Sequence, residues 1–172
     1  MTRFTVLVAD PHPRSALRAA AVRTAEAVSA HTGLTTSVNV VDLAELGPAL
    51  LAADTGADVA AALREVSESD ILLVASPQAH GSYTGLLKVF LDRLPELALG
   101  QAVAVPMAAV DDLRNGRNIE EDLRVLLSDL GAWVAEPGLL LTRGELADPH
   151  SVIEAWAGVS APALRDAVAV AV

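Results

Sequence analysis

Cysteine is missing from all 172 residues, which excludes disulfides, thiolate catalysis and zinc–sulfur sites. Aromatic side chains are scarce, at 3 % against 52 % hydrophobic residues overall, so the core has to be aliphatic, built from Ala, Val and Leu. Lysine occurs once, at Lys88, and the net charge of −10 argues against nucleic acid or an anionic membrane as partner. No run of about 18 apolar residues is present to span a bilayer. Met1 to Arg14, interrupted by Asp10, Pro11 and Pro13, does not read as a signal peptide. The expectation is a cytoplasmic protein whose residues 1–172 fold as one domain, long enough to bury about two-thirds of its unfolded surface.

Apolar β-rich runs alternate with segments of helical period, the pattern of a parallel sheet covered on both faces. Strands are expected at Phe4–Val8, Thr35–Val41, Asp70–Ala75, Gln101–Met107 and Trp133–Leu141. Helices are expected at about Ala16–Ala30, with Ser15 as N-cap, and at Ala57–Ser67, Tyr83–Leu94 and Ile119–Leu130. Leu43–Leu51 is ambiguous and partly helical, and the tail from about Ser151 is helical around Pro162. Five strands and four or five helices point to an α/β, flavodoxin-like fold: a five-stranded parallel sheet of order 2-1-3-4-5, with right-handed crossovers and helices on both faces. Ligands then sit beyond the carboxyl ends of the strands, at the switch point between strands 1 and 3. Three loops converge there: 9–15, 76–83 and 108–116.

The run Ser76-Pro77-Gln78-Ala79-His80-Gly81-Ser82-Tyr83-Thr84-Gly85-Leu86-Leu87-Lys88, continuing through Leu91-Asp92-Arg93-Leu94-Pro95, resembles the NADPH-dependent FMN reductase family, and within it the reductases of sulfonate-scavenging two-component systems. A weaker resemblance extends from about residue 3 to 135. The resemblance implies hydride transfer from NAD(P)H to FMN, reduced flavin passed to a partner monooxygenase, and assembly as a homodimer or homotetramer. It places the isoalloxazine beside the loop Pro77, Gln78, Ala79, His80, Gly81, Ser82 and Tyr83, with Val110 and Asp111 in the third loop. His12, Arg14 and Ser15 fall in the loop that holds the FMN phosphate at a helix N-terminus.

That first loop departs from the family's Gly-Ser-x-Arg-x-x-Ser. Laid over it, Ala9 to Ser15 matches only at Ser15; Asp10 puts a carboxylate where the family has a hydroxyl, and His12 stands for the arginine, with Arg14 nearby. Ala79 replaces an aromatic residue against the flavin, and Val110-Asp111 replaces Gly-Gly. A carboxylate about 5 Å from a phosphate charge costs roughly 3 kcal/mol at an effective dielectric of about 20. Micromolar binding totals about 8 kcal/mol, so one such contact weakens it about a hundredfold.

The same residues carry plainer readings. Ser15 is a helix N-cap as readily as a phosphate ligand, and Tyr83 is a packing residue as readily as a pocket wall. Asp111-Asp112 and the following Arg114 to Arg117 read as a solvated turn into a helix near Asn118, with Glu120, Glu121 and Asp122 on a wet face. Lys88 and Asp92 have i,i+4 spacing. Trp133 and Trp156 read as packing or subunit-interface residues, and the apolar tail Ala161–Val172 needs to dock on the domain or on a second subunit. Two other functions stay open. One is a flavin-free enzyme using Asp10, His12, His80 and Asp111 as acid–base groups or metal ligands. The other is a non-catalytic partner protein on the same scaffold.

Overall fold

Side chains of Phe4–Val8 alternate between two buried faces, and Thr2–Val8 forms β1. Phe4, Val6 and Val8 pack in one apolar layer and Leu7 in the other. The computed structural model describes residues 1–171; Val172, the end of the apolar tail considered above, lies outside the described residues. Beyond β1 come α1 (Ala16–Thr32), β2 (Thr36–Asp42), the short α2 (Leu43–Leu46) running into a 3-10 turn (Gly47–Leu51), and α3 (Ala57–Ser67). The chain continues through β3 (Ile71–Pro77), α4 (Gly85–Leu91), β4 (Val103–Val110), α5 (Leu113–Asp129), β5 (Trp133–Val134), β6 (Leu139–Thr142), α6 (Arg143–Ala147) and α7 (His150–Ala171). No helix among the described residues is long and apolar enough to cross a membrane.

Every strand pairing is parallel. The order is β2-β1-β3-β4, with β5 and β6 both on the outer side of β4, which is the flavodoxin-like 2-1-3-4-5 arrangement. Register places Val6 opposite Leu73 and Leu73 opposite Val105. On one face the strand residues Ile71, Leu73, Val103 and Val105 meet Leu17, Ala21 and Val28 of α1 and Ile153, Ala157 and Leu164 of α7. On the other, Leu72, Val74 and Ala104 meet Val59 of α3, Phe90 of α4 and Leu123 of α5. The core is aliphatic apart from Phe4 and Phe90, both fully buried. The described part of the apolar tail is the second half of α7, and its Leu164 and Val168 close over the α1 face.

Four expectations need correction. The fifth strand does not run unbroken from Trp133 to Leu141: it splits into β5 and β6 around Ala135–Gly138. Pro137-Gly138 interrupts the run from within, and the neighbouring strand adds to the break. Pro106 of β4 has no N–H to give to the ladder, and pairing with β5 ends at Ala104 while pairing with β6 begins at Met107. The Gly138 N–H is taken instead by the Glu120 carboxylate at 2.7 Å. Second, α5 begins at Leu113 and not near Asn118, because Asp112 caps it by accepting from Arg114 N at 3.0 Å. Gly116 is thus a buried helix residue, close against Val110 and Leu140. Third, Glu120 and Asp122 are half-buried structural acceptors and not a wet face; Glu121 is exposed and pairs with Arg124. The fourth helix is also shorter than Tyr83–Leu94, starting after its N-cap Thr84.

Candidate functional site

The carboxyl ends of β1, β3 and β4 open onto a cleft of about 410 Å³, within the size range of small-molecule sites. Asp10, Pro11 and His12 line it from the first loop, Ala16 and Leu17 from the start of α1, and Pro77, Gln78, Ala79 and Thr84 from the second loop. Ala109, Val110 and Asp111 close the far side, with Arg143 and Leu146 of α6.

Thr84 joins the first two loops. It is buried, its hydroxyl donates to the Ala9 carbonyl at 2.8 Å, and its N–H donates to Ser76 Oγ at 3.1 Å. As N-cap of α4 its oxygen also accepts from Leu87 N. The second loop is a tight hairpin: Ala79 and Ser82 exchange backbone hydrogen bonds of 2.8 and 3.1 Å. His80 and Gly81 at its tip have φ of +50° and +88°, the backbone of a type I′ turn that favours glycine at the second position. Ser82 Oγ donates to Asp122 of α5 at 2.5 Å and Gln78 Nε2 donates to the Asn115 carbonyl at 3.2 Å, so α5 holds the hairpin from both ends. Asp122→Ala is expected to cost about 1–2 kcal/mol and to raise amide hydrogen exchange at residues 79–82 selectively; unchanged exchange there would show that Ser82 is held by other means.

In the first loop the Asp10 carboxylate, with its residue only 9 % exposed, accepts from the His12 N–H at 2.9 Å and lies 3.1 Å from His12 Nδ1. Across the cleft, Arg143 Nε donates to Asp111 Oδ1 at 2.7 Å. Among the described residues no group of three or more His, Asp or Glu side chains is arranged to hold a metal ion, and His12 pairs with Asp10 without His80.

Of the residues singled out from sequence, Asp10, His12, Pro77, Gln78, Ala79, Val110 and Asp111 share the cleft wall. Arg14 is exposed outside it with φ +56°, and Ser15 caps α1 by accepting from Arg18 N at 3.1 Å. His80, Gly81 and Ser82 form the hairpin tip and its closing strand, outside the wall, and Tyr83 packs half-buried against the α3–α5 layer. Lys88 donates to Asp92 at 2.5 Å, and that exposed hydrogen bond raises the lysine pKa above its ordinary value. Trp156 donates from Nε1 to the Pro137 carbonyl at 3.0 Å. Sequence reading missed Thr84, Leu17, Arg143 and Leu146 as cleft residues. Thr142 and Glu145 form a capping box, and that Thr-x-x-Glu spacing was a signal for a helix starting at a strand's carboxyl end.

The profile of the NADPH-dependent FMN reductase family matches residues 2–145. The chain belongs to that family. Among curated relatives, the NADH-dependent FMN reductase SfnF of Pseudomonas fluorescens (strain Pf0-1) is 32 % identical over 103 residues, 60 % of this chain and 55 % of that protein. The chain spans about half the length of the curated relatives it matches. Among solved structures, an oxidoreductase from Corynebacterium diphtheriae superposes with a TM-score of 0.81 at 29 % identity, covering 98 % of this chain and 97 % of that one. The apo form of an NADH:FMN oxidoreductase, EMOB, superposes with a TM-score of 0.79 at 25 % identity, covering 99 % and 88 %.

Proposed function

We propose that this chain reduces flavin with NAD(P)H and supplies the reduced flavin to a partner monooxygenase, working in the cytoplasm as a homodimer or homotetramer. The observation that carries the reading is the cleft at the β1–β3 switch point. Its middle is apolar, with Leu17, Pro77, Ala79, Ala109 and Val110 in the wall, suited to a flat ring system. The flavin itself accepts the hydride, so the protein has only to hold ring and nicotinamide together and exclude water. A buried acid–base dyad is not required. SfnF and the other curated relatives are named as FMN reductases, which supports the same reaction here. Trp133, Val159 and Val170 are exposed and support the assembly of copies.

The test is consumption of NADH and NADPH by the purified chain, followed by loss of reduced-nicotinamide absorbance with and without added flavin. Oxidation that depends on flavin is the expected result. A chain that neither quenches flavin fluorescence nor oxidises either nucleotide in the presence of flavin would overturn the proposal.

A further inference from the structure

The cleft has an apolar middle and an anion-averse end, and the two ends of FMN differ in the same sense. A phosphate placed at the switch point of such a sheet is ordinarily met by the N-terminus of the first helix and by loop N–H groups. Here the loop that leads into α1 has few donors to give. Pro11 and Pro13 have no N–H, and the His12 N–H is already bound to Asp10. Ser15 accepts from Arg18 N as the α1 cap, which leaves its hydroxyl hydrogen as a single side-chain donor, and Arg14 stands exposed outside the cleft wall. Ala16 and Leu17 are the first-turn residues left to face the cleft, and Asp10 shares that end with them. A carboxylate there is favoured by the helix dipole; it already plays the part of the anion.

The remaining charges do not reverse this. Asp10 and Asp111 face one permanent cation, Arg143, which is bonded to Asp111. His12 is the partner of Asp10 and its ring is 86 % exposed. A phosphomonoester entering this end meets a negative lining with only the Ser15 hydroxyl and first-turn N–H groups left to donate, whereas an uncharged ribityl chain can give its hydroxyls to Asp10. We propose that the flavin taken by this cleft is the phosphate-free one, riboflavin, in preference to FMN. The inference rests on the flavin reading above.

The test is fluorescence titration of the full chain with riboflavin and with FMN, at low and moderate salt, for the wild type, Asp10→Asn and Asp10→Ser. Wild type is expected to bind riboflavin about tenfold tighter than FMN or more, with the gap narrowing as salt screens the carboxylate. Asp10→Asn keeps an acceptor for the His12 N–H and is expected to tighten FMN about 10- to 100-fold, while riboflavin, whose hydroxyls lose a charged acceptor, weakens severalfold. FMN binding the wild type more tightly than riboflavin would overturn the inference while leaving the flavin reading standing, and so would an FMN-to-riboflavin ratio that neither Asp10 variant moves. The wild-type ratio decides alone if the variants do not fold. Failure of both flavins to bind the wild type would remove the flavin reading itself, and this inference with it.

Discussion

Thr84→Val is expected to lower stability by about 2–4 kcal/mol and to weaken flavin binding together with it. Valine matches threonine in shape but leaves the buried Ala9 carbonyl without its 2.8 Å donor, at a cost of about 1–3 kcal/mol. It also removes the cap that Leu87 N uses, worth about 1 kcal/mol more. In a chain of this length each kcal/mol moves Tm by roughly 2–4 °C, so thermal unfolding should begin about 10 °C earlier. The functional consequence is separate. Thr84 is the hydrogen-bonded tie between the end of β1 and the loop after β3, the two walls of the cleft, and without it their spacing is no longer fixed. Thr84→Ser keeps the hydroxyl and should restore most of both properties. Equal melting of Thr84→Val and wild type would show that the tie carries no energy.

Gly138→Val, away from the cleft, should lower stability by about 3 kcal/mol. A Cβ built at Gly138 falls 2.8 Å from the Pro106 carbonyl oxygen and 3.2 Å from Pro106 Cβ. The oxygen belongs to a central strand and cannot step aside, so overpacking of about 1–3 kcal/mol follows. Glu120 Oε1 lies only 3.3 Å away, and the branched side chain displaces it from the Gly138 N–H, leaving that donor unpaired. Chemical denaturation should show a lower midpoint with an unchanged slope. A midpoint equal to that of wild type would mean that β4 and the β5–β6 break adjust more freely than their packing indicates.

The parts of this fold that were legible in the sequence are those decided locally. Ile71 to Ala75 is a continuous apolar run, and a strand buried on both faces reads that way. Ala57–Ser67 begins and ends where its apolar period does. The misread parts depend on a distant residue or on a cap that resembles a turn. Pro137-Gly138 signals the break between Trp133 and Leu141, but the part played by Pro106, in another strand, is not visible there. Asp111-Asp112 looks like a solvated turn, yet Asp112 starts a helix of 17 residues. In the cleft, Asp10, His12, Pro77, Gln78 and Ala79 could be placed together because the strand order brings their loops together. Arg143 and Leu146 could not, since they arrive from beyond the last strand. The family's phosphate loop, laid over Ala9 to Ser15, makes Asp10 a carboxylate expected to oppose a phosphate; in the structure it is buried and bonded to His12.

The interrupted outer strand has a consequence for how this sheet meets other chains. A foreign strand seeking to extend the sheet past β4 finds only rails of two and four residues, with a kink between them. No uninterrupted ladder can zip onto it, and short or bent rims of this kind discourage templated growth. The opposite rim, β2, offers seven residues in line, so any fibre or strand exchange nucleated by this protein would begin there.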